Sequence, residues 1–321
     1  MRRVVKAGLG ALAVGAEVWL AMVAGTDGRP ATAQARDLSK VEIKVTPVAG
    51  KVYMLVGAGG NIGVSAGEDG AILVDDQFLE LAPKIRAAVA GLPGGDRLKF
   101  VINTHWHGDH TGSNRIFGAE APIIAQTNVR RRLATEQSVR GDKIPPSPKV
   151  ALPVLTYDQS VSLHWNGEEI KVVHFPHGHT DGDSIVFFTG SNVVHMGDDF
   201  FSGTFPFVDL GSGGSVQGLT ENVGKVLGMI HADTKVIPGH GPLGTRADLQ
   251  GFHDMLAETT DIVRRRLQAG ESLEKMQAEG LPEKYKPLGA GFMDTKAWIQ
   301  TIRDSLKAVG APGGAGATGR R

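Results

Sequence analysis

The chain of 321 residues contains no cysteine, and this absence excludes several kinds of chemistry. A protein without cysteine has no disulfide, no thiolate metal ligand and no cysteine nucleophile. Any bound metal must therefore be held by histidine, aspartate, glutamate or water. The chain also lacks an excess of either charge, since 34 basic residues balance 34 acidic ones. A nucleic-acid backbone is for that reason a poor candidate partner, and a small-molecule substrate is expected instead.

Long apolar runs are missing after the N-terminus, and the run near the start is typical of an export signal. A basic start at residues 2–6 precedes an apolar stretch from 7 to 25, and Ala33-Gln34-Ala35 fits a small-x-small cleavage site. A retained membrane anchor is the alternative, although Glu17 and several glycines weaken a spanning helix. Removal of residues 1–35 as a signal peptide would leave a soluble protein, periplasmic in a bacterium, that begins at Arg36.

Apolar patterning predicts one mixed α/β domain over residues 36–309, with two sheets between helical layers. Strand patterns dominate the first two-thirds of the chain, and residues 310–321 form a Gly/Ala-rich tail that we expect to be disordered. The predicted strands lie over 41–56 and 71–74 and between 154 and 174, and a mobile glycine tip is predicted at 57–61. The predicted helices lie over 79–92, 112–117, 128–137, 216–230, 248–267 and 295–309.

The densest group of chemically active side chains is Thr104-His105-Trp106-His107-Gly108-Asp109-His110, directly after an apolar strand pattern at 98–103. Imidazole and carboxylate are the ligands that zinc takes in catalytic sites. Side chains at i and i+2 of an extended segment point the same way, so His105 and His107 are expected to hold one metal together. Asp109 and His110 would reach a second metal as the chain turns. A polar surface loop is the weaker alternative.

Three later apolar segments also end in ligand-type side chains. These segments lead to His177 and His179, to Asp198 and Asp199, and to His240. Functional groups gather at the carboxyl ends of strands in α/β sheets, so all four clusters are expected to converge on one edge.

These motifs, in this order, resemble the metallo-β-lactamase superfamily. The matching pieces are His-Trp-His-Gly-Asp-His at 105–110, Gly-His-Thr at 178–180, Met-Gly-Asp at 196–198, Pro-Gly-His-Gly at 238–241 and Leu-Val-Asp at 73–75. The resemblance covers about residues 41 to 245 and implies a four-layer αββα fold with two Zn²⁺ ions per chain. It implies that His105, His107 and His179 hold the first metal, that Asp109, His110 and His240 hold the second, that Asp198 bridges them, and that Asp75 orients the ligands from behind.

Two positions have close competitors. His179 is preferred to His177 because it stands directly before threonine, and Asp198 is preferred to Asp199 because it directly follows glycine. We therefore expect that replacing Asp199 has little effect. Trp106 is equally compatible with a pocket wall and with core packing.

Substrate contacts are expected from two segments. The glycine tip at 57–61 would lie over the metals, with Asn61 as a hydrogen-bond donor. The segment 200–207 would form an apolar wall through Phe205 and Phe207, although packing in the core explains its aromatic residues equally well.

The function predicted from these features is an exported dinuclear zinc hydrolase that opens a β-lactam-type cyclic amide or an ester. A metal-bridging hydroxide, oriented by the catalytic Asp109, would attack the carbonyl carbon. The chain has no cysteine in place of Asp198, unlike one β-lactamase subclass, yet Asp181 follows the Gly-His-Thr motif as in β-lactamases. A lactonase or thioesterase of glyoxalase II type is the alternative. An iron-dependent oxidoreductase and a metal-binding accessory protein remain further readings.

Overall fold

Two β-sheets packed face to face form the centre of the fold. In a computed structural model of the protein, residues 37–310 are described, except for the side chains of residues 309 and 310. The predicted signal peptide lies outside the described residues, as does the tail from residue 311 onward. None of the helices in the described part of the chain combines the length and apolar character needed to cross a bilayer.

Fifteen strands are described, and they are listed in chain order: β1 (Lys44–Ala49), β2 (Val52–Val56), β3 (Ile62–Gly67), β4 (Gly70–Val74), β5 (Leu98–Asn103), β6 (Ile123–Gln126), β7 (Gln137–Val139), β8 (Asp142–Ile144), β9 (Leu155–Tyr157), β10 (Ser160–Trp165), β11 (Glu168–His174), β12 (Ser184–Phe188), β13 (Val193–His195), β14 (Lys235–Ile237) and β15 (Gly244–Thr245). The first sheet has the order β1-β2-β3-β4-β5-β6-β9, the second has the order β10-β11-β12-β13-β14-β15, and β7 pairs with β8 alone.

The α-helices flank these sheets and are α1 (Ala82–Ala90), α2 (Gly108–Thr111), α3 (Asn114–Phe117), α4 (Thr127–Leu133), α5 (Val216–Met229), α6 (Arg246–Gln268), α7 (Leu273–Glu279) and α8 (Thr295–Gly310). Helix α6 begins with a capping box, in which the Thr245 hydroxyl accepts from the backbone N–H of Asp248 and the Asp248 carboxylate accepts from the backbone N–H of Thr245.

Alternation of side chains along the strands separates the layers. Ile72 and Val74 of β4 pack between the sheets against residues such as Phe188, whereas Leu73 packs on the opposite face in the cluster that contains Ile85 of α1. The outer face of the second sheet is covered by α5, α6 and α8 in a third apolar cluster. The predicted four-layer αββα fold is therefore confirmed.

Strand direction explains why the candidate ligands meet. Strands β4, β5 and β6 run parallel, so their carboxyl ends lie at the same edge of the first sheet. In the second sheet β13 and β14 are parallel, and β11 and β13 are both antiparallel to β12. The loops after β11, β13 and β14 therefore also leave from one edge.

Several predicted boundaries were wrong. The strand expected over 41–56 is a hairpin of β1 and β2 that turns at Gly50, where φ is +53°. The helix expected over 128–137 ends at Leu133, because Leu133 and Val139 pack around one small apolar cluster and the chain folds back as β7 and β8. The helix expected over 79–92 begins with a 3₁₀ turn at Leu79–Leu81.

Candidate metal centre

The loop after β5 presents three histidines and an aspartate through a change of backbone conformation. His107 is extended, with φ −64° and ψ 149°, and α2 begins at the next residue. Asp109 and His110 consequently lie on the first turn of a short helix, and the ring centre of His110 is 4.2 Å from that of His105. The turn expected from the sequence is thus a helix start.

The structure brings the seven predicted metal ligands together in two groups, and a third candidate group joins Asp75 to His105 and His110. In each group the potential ligand atoms lie within 4.8 Å of one another. His105, His107 and His179 lie with Asp198, and we call these three histidines the first ligand group. Asp109, His110 and His240 form the second ligand group.

Asp198 lies between the two groups and presents one oxygen to each. Its Oδ2 is 3.5 Å from Nε2 of His179 and 3.8 Å from Nε2 of His105. Its Oδ1 is 3.1 Å from Nε2 of His110 and 3.5 Å from Nε2 of His240. A carboxylate in this position has the geometry needed to bridge two cations.

Hydrogen bonds behind the first ligand group orient its rings. Nε2 of His107 donates to Oδ2 of Asp209 at 3.0 Å, and Nδ1 of His179 donates to the carbonyl oxygen of Phe207 at 2.7 Å. With these tautomers, Nδ1 of His107 and Nε2 of His179 direct lone pairs at each other across 2.8 Å. Such lone pairs repel unless a cation or a proton lies between them.

His105 provides the clearest sign that the donors fit a metal. Its Nδ1 lies 3.0 Å from the hydroxyl oxygen of Thr104, which itself donates to Asp75 at 2.7 Å. This arrangement leaves the lone pair on Nε2, which is buried and makes no hydrogen bond. A buried nitrogen without a partner is costly, and a cation held by three imidazoles and a carboxylate would satisfy it.

The histidine pKa values are shifted in opposite directions in the two ligand groups. Burial lowers the pKa of His105 well below its usual range and that of His179 to about 4, so both rings are neutral, as metal ligands must be. Burial acts the same way on the second group, but the Asp198 and Asp109 carboxylates together outweigh it and raise the pKa of His240 to about 9. His110 is also raised well above its usual pKa. Cation binding there is expected to release protons.

Asp75 supports the ligands from behind, as the resemblance implies. One of its oxygens accepts from the backbone N–H of Thr104 at 2.8 Å, and the other accepts from Nδ1 of His110 at 2.7 Å. These bonds point Nε2 of His110 toward Asp198. Because both carboxylate oxygens are occupied and the residue is fully buried, we assign Asp75 to ligand orientation rather than ligation.

Asn61 does not have the predicted role of a substrate donor. Its side-chain amide donates to the carbonyl oxygens of Pro238 and Gly241, both at 2.9 Å, and the residue is buried. The glycine tip is also fastened, since the N–H of Gly60 donates to the carbonyl oxygen of Asp109 at 3.0 Å. Asn61 therefore joins the hairpin of the first sheet to the loop that carries His240.

The Phe-rich segment divides between core and site. Phe205 is fully buried and its ring stacks on that of Trp298, with the ring centroids 5.7 Å apart. The prediction that Phe205 lines the substrate wall was therefore wrong. Phe207 is partly exposed, and its ring centre lies 5.9 Å from that of His107 and 5.8 Å from that of His179. It remains the predicted wall residue that borders the ligands. Trp106 packs with Val129 and belongs to the core.

The competing residues are resolved by position. His177 is exposed, whereas His179 lies in the cluster. Asp199 points away from the metal ligands, but it is not a spare residue: its carboxylate accepts from the backbone N–H of His179 at 3.1 Å and from Asn222 at 3.3 Å. Burial raises the pKa of Asp199 to about 7. The expectation that Asp199 matters little therefore conflicts with its contacts.

Asp209, which orients His107, was missed by the sequence reasoning. It stands two residues after Phe207 and outside every recognised motif, in a stretch whose conformation is irregular. The only available signal was an acidic residue directly after the Phe-rich segment.

Comparison with known proteins identifies the family. Residues 56–240 match the family model described as the Metallo-beta-lactamase superfamily, and the chain belongs to this superfamily. The clustered histidine and aspartate side chains of this superfamily member could hold metal ions. A curated relative named "Hydroxyacylglutathione hydrolase", from Pelagibacter ubique (strain HTCC1062), is 29% identical over 148 residues, which are 44% of this chain and 52% of the relative. The chain thus spans about half the length of that relative.

Solved structures share the fold at low sequence identity. A metallo-beta-lactamase from Pontibacter korlensis aligns with a TM-score of 0.55 and 15% identity, over 67% of this chain and 99% of its own. The DIM-1 metallo-beta-lactamase aligns with a TM-score of 0.54 and 21% identity, over 68% of this chain and 99% of its own. The sec-alkylsulfatase Pisa1 from Pseudomonas sp. aligns with a TM-score of 0.62 and 13% identity, over 81% of this chain and 49% of its own. At these identities the likeness shows the fold alone.

Proposed function

We propose that this member of the metallo-β-lactamase superfamily is an exported enzyme that binds two zinc ions and hydrolyses a cyclic amide or an ester. The position of Asp198 carries the proposal, because its two oxygens face two separate ligand groups. A carboxylate shared in this way favours two cations over one. The ligand set, which contains imidazole and carboxylate without thiolate, is compatible with zinc.

Bound divalent metals would supply Lewis-acid polarisation of a carbonyl oxygen and a water of lowered pKa. The chain itself contributes Asp109, whose Oδ2 lies 3.3 Å from Nε2 of His240 and whose side chain is 29% exposed. The His110 and His240 rings outweigh the effect of burial and hold the pKa of Asp109 well below its usual range. Its carboxylate is therefore ionised and able to accept a hydrogen bond from the attacking water, which it would orient toward the substrate.

Phe207 contributes on the other side of the ligands. Its ring covers part of His107 and His179 while remaining partly exposed. An apolar substrate group packed against this ring would exclude water from the first ligand group.

A second candidate is a thioesterase or lactonase of glyoxalase II type. The curated relative named hydroxyacylglutathione hydrolase supports it. Export, which we propose from the basic start, the apolar run and Ala33-Gln34-Ala35, disfavours a glutathione thioester, because we expect that substrate in the cytoplasm. Intact-mass measurement of protein recovered from the periplasm tests export: an N-terminus at Arg36 supports it, whereas retention of Met1 supports an anchor.

A substrate panel tests the reaction. Zinc-loaded full-length protein is assayed with nitrocefin, a set of lactones and a set of thioesters, before and after chelation. Hydrolysis that disappears with chelation and in Asp198→Ala, but persists in the exposed control Asp233→Ala, supports the proposal. Iron as the bound metal with oxygen uptake, or turnover indifferent to Asp198→Ala, contradicts it.

A further inference from the structure

An unusually exposed aromatic ring continues the wall that Phe207 begins. Phe292 lies on the loop before α8 and is 47% exposed, and it is the only aromatic residue among the exposed large apolar side chains of residues 37–308. Its ring meets that of Phe207 edge-on, with the centroids 6.1 Å apart. Apolar surface therefore extends from the first ligand group outward to solvent.

The tip of the β7–β8 hairpin places a cation on this surface. The guanidinium carbon Cζ of Arg140 lies 4.9 Å from the centre of the Phe292 ring. Among residues 37–310 no carboxylate forms an ion pair with Arg140. By contrast, Lys143 of the same hairpin pairs with Glu136 at 3.1 Å. The charge on Arg140 is thus available to a ligand.

The backbone at Arg140 argues against a merely solvated surface residue. Val139 pairs with Asp142, so Arg140 and Gly141 are the two central residues of a tight turn, with φ of +53° and +91°. Such turns favour asparagine, aspartate or glycine at the first central position. An arginine held in this conformation is strained, and backbone strain of this kind is more often retained at a functional position.

The base of the hairpin is tied to the loop that carries His179. Arg132 makes a two-point ion pair with Asp181, with both N···O distances 2.7 Å, and its Nη1 donates to Gln137 at 3.0 Å. Val139 packs on the apolar cluster that contains Trp106. The hairpin is therefore positioned by the loops that carry His107 and His179.

We propose that Arg140 and Phe292 are specificity determinants that select substrates carrying an aryl group and, beyond it, a carboxylate. The aryl group would pack on Phe292 and Phe207, and the guanidinium of Arg140 would pair with the carboxylate. This inference rests on the proposed function in that it assigns the substrate class of the same site.

Ligand-observed NMR titration of the zinc-loaded full-length protein tests it without requiring turnover. The probes are 4-phenylbutyrate, its neutral analogue 4-phenylbutyramide, and butyrate, which lacks the ring and reports direct binding of a carboxylate to metal. Arg140→Gln should lower the affinity for 4-phenylbutyrate by about three- to fivefold, as expected for the loss of an exposed ion pair, and leave the affinity for the amide unchanged. Phe292→Ala should weaken the acid and the amide alike by about fivefold, with butyrate unaffected.

Lys143→Gln is the matched control, because it removes a positive charge from the same hairpin and should alter none of the three affinities. An equal effect of Arg140→Gln on acid and amide, or equal effects of Arg140→Gln and Lys143→Gln on the acid, would overturn the proposal. Its failure is distinguishable from that of the proposed function. If no panel substrate is hydrolysed but Arg140 still determines the preference for the acid, the proposed enzymatic function is refuted and the proposed binding role of Arg140 and Phe292 stands. If a substrate is hydrolysed but the preference for the acid does not depend on Arg140, only the binding role is refuted.

Discussion

Replacing Asp199 by alanine should destabilise the protein and weaken metal binding, although Asp199 belongs to neither ligand group. The variant leaves the buried backbone N–H of His179 without its acceptor, which costs about 1–3 kcal/mol. Asn222 loses one bond but keeps its other, to the carbonyl oxygen of Pro176 at 3.2 Å. With the lost packing of a buried side chain included, we expect the free energy of unfolding to fall by about 2–4 kcal/mol.

Metal affinity should fall as well, because the same hydrogen bond holds the backbone from which the His179 side chain projects. Loss of a hydrogen-bond partner behind a metal ligand typically costs about 10- to 100-fold in affinity. Zinc affinity is measured by competition with a chromogenic chelator, and stability is measured by urea unfolding of the metal-free protein.

The size of the stability loss should depend on pH. Burial raises the pKa of Asp199 to about 7 and raises that of its hydrogen-bonded neighbour Asp183 well above its usual range, so the buried pair holds protons that an unfolded aspartate, with a pKa of about 3.9, has already lost. A carboxyl group with a raised pKa in the folded state contributes stability that is complete below about pH 4 and is lost as the pH rises through about 7. The difference between wild type and Asp199→Ala should therefore be larger at about pH 5.5 than at about pH 8.5.

Glu221→Ala is the control, since it removes an exposed carboxylate from the helix that carries Asn222 and should leave the free energy of unfolding indistinguishable from that of wild type. If Asp199→Ala resembles this control in stability and zinc affinity, the hydrogen bond to His179 does not hold the loop and the reasoning is refuted.

Three further outcomes are expected. Asp198→Ala should lower kcat by about a hundredfold or more, measured on whichever panel substrate is turned over, and an unchanged kcat would contradict its place between the two ligand groups. His240→Ala should reduce zinc content from about two ions per chain to about one, determined by elemental analysis, and loss of both ions would contradict separate groups. Phe205→Ala should lower the free energy of unfolding by about 3–5 kcal/mol because Phe205 is fully buried, whereas Phe207→Ala should raise KM with a smaller change in stability.

The candidate ligands were predictable because their signal is local. His105 to His110 directly follow an apolar strand, and His179, Asp198 and His240 each follow another, so strand pattern and residue type suffice to propose a shared edge. The structure brings all seven predicted ligands together. The layered fold was predictable because strand patterns dominate the first two-thirds of the chain and mix with helical patterns throughout.

Tertiary contacts alone decided the roles of the residues around the ligands. Phe205 and Phe207 belong to one aromatic segment, yet one packs in the core on Trp298 and the other borders His107. Asn61 has the composition of a substrate donor, but carbonyl groups from a loop about 180 residues away occupy its amide. The burial of these side chains and the choice of their hydrogen-bond partners depend on residues that are distant in sequence, and local sequence patterns do not identify those residues.

The same division explains which carboxylates the sequence identified. By itself the sequence placed Asp109 and Asp198 among the candidate ligands, because each stands in a short motif next to histidine or glycine at a strand end. Only the folded structure shows that Asp199 holds the His179 backbone and that Asp209 orients His107. A metal ligand is selected by its element and its neighbours in sequence, whereas a supporting residue needs only a hydrogen-bonding atom at the right point in space, which many parts of a chain can supply.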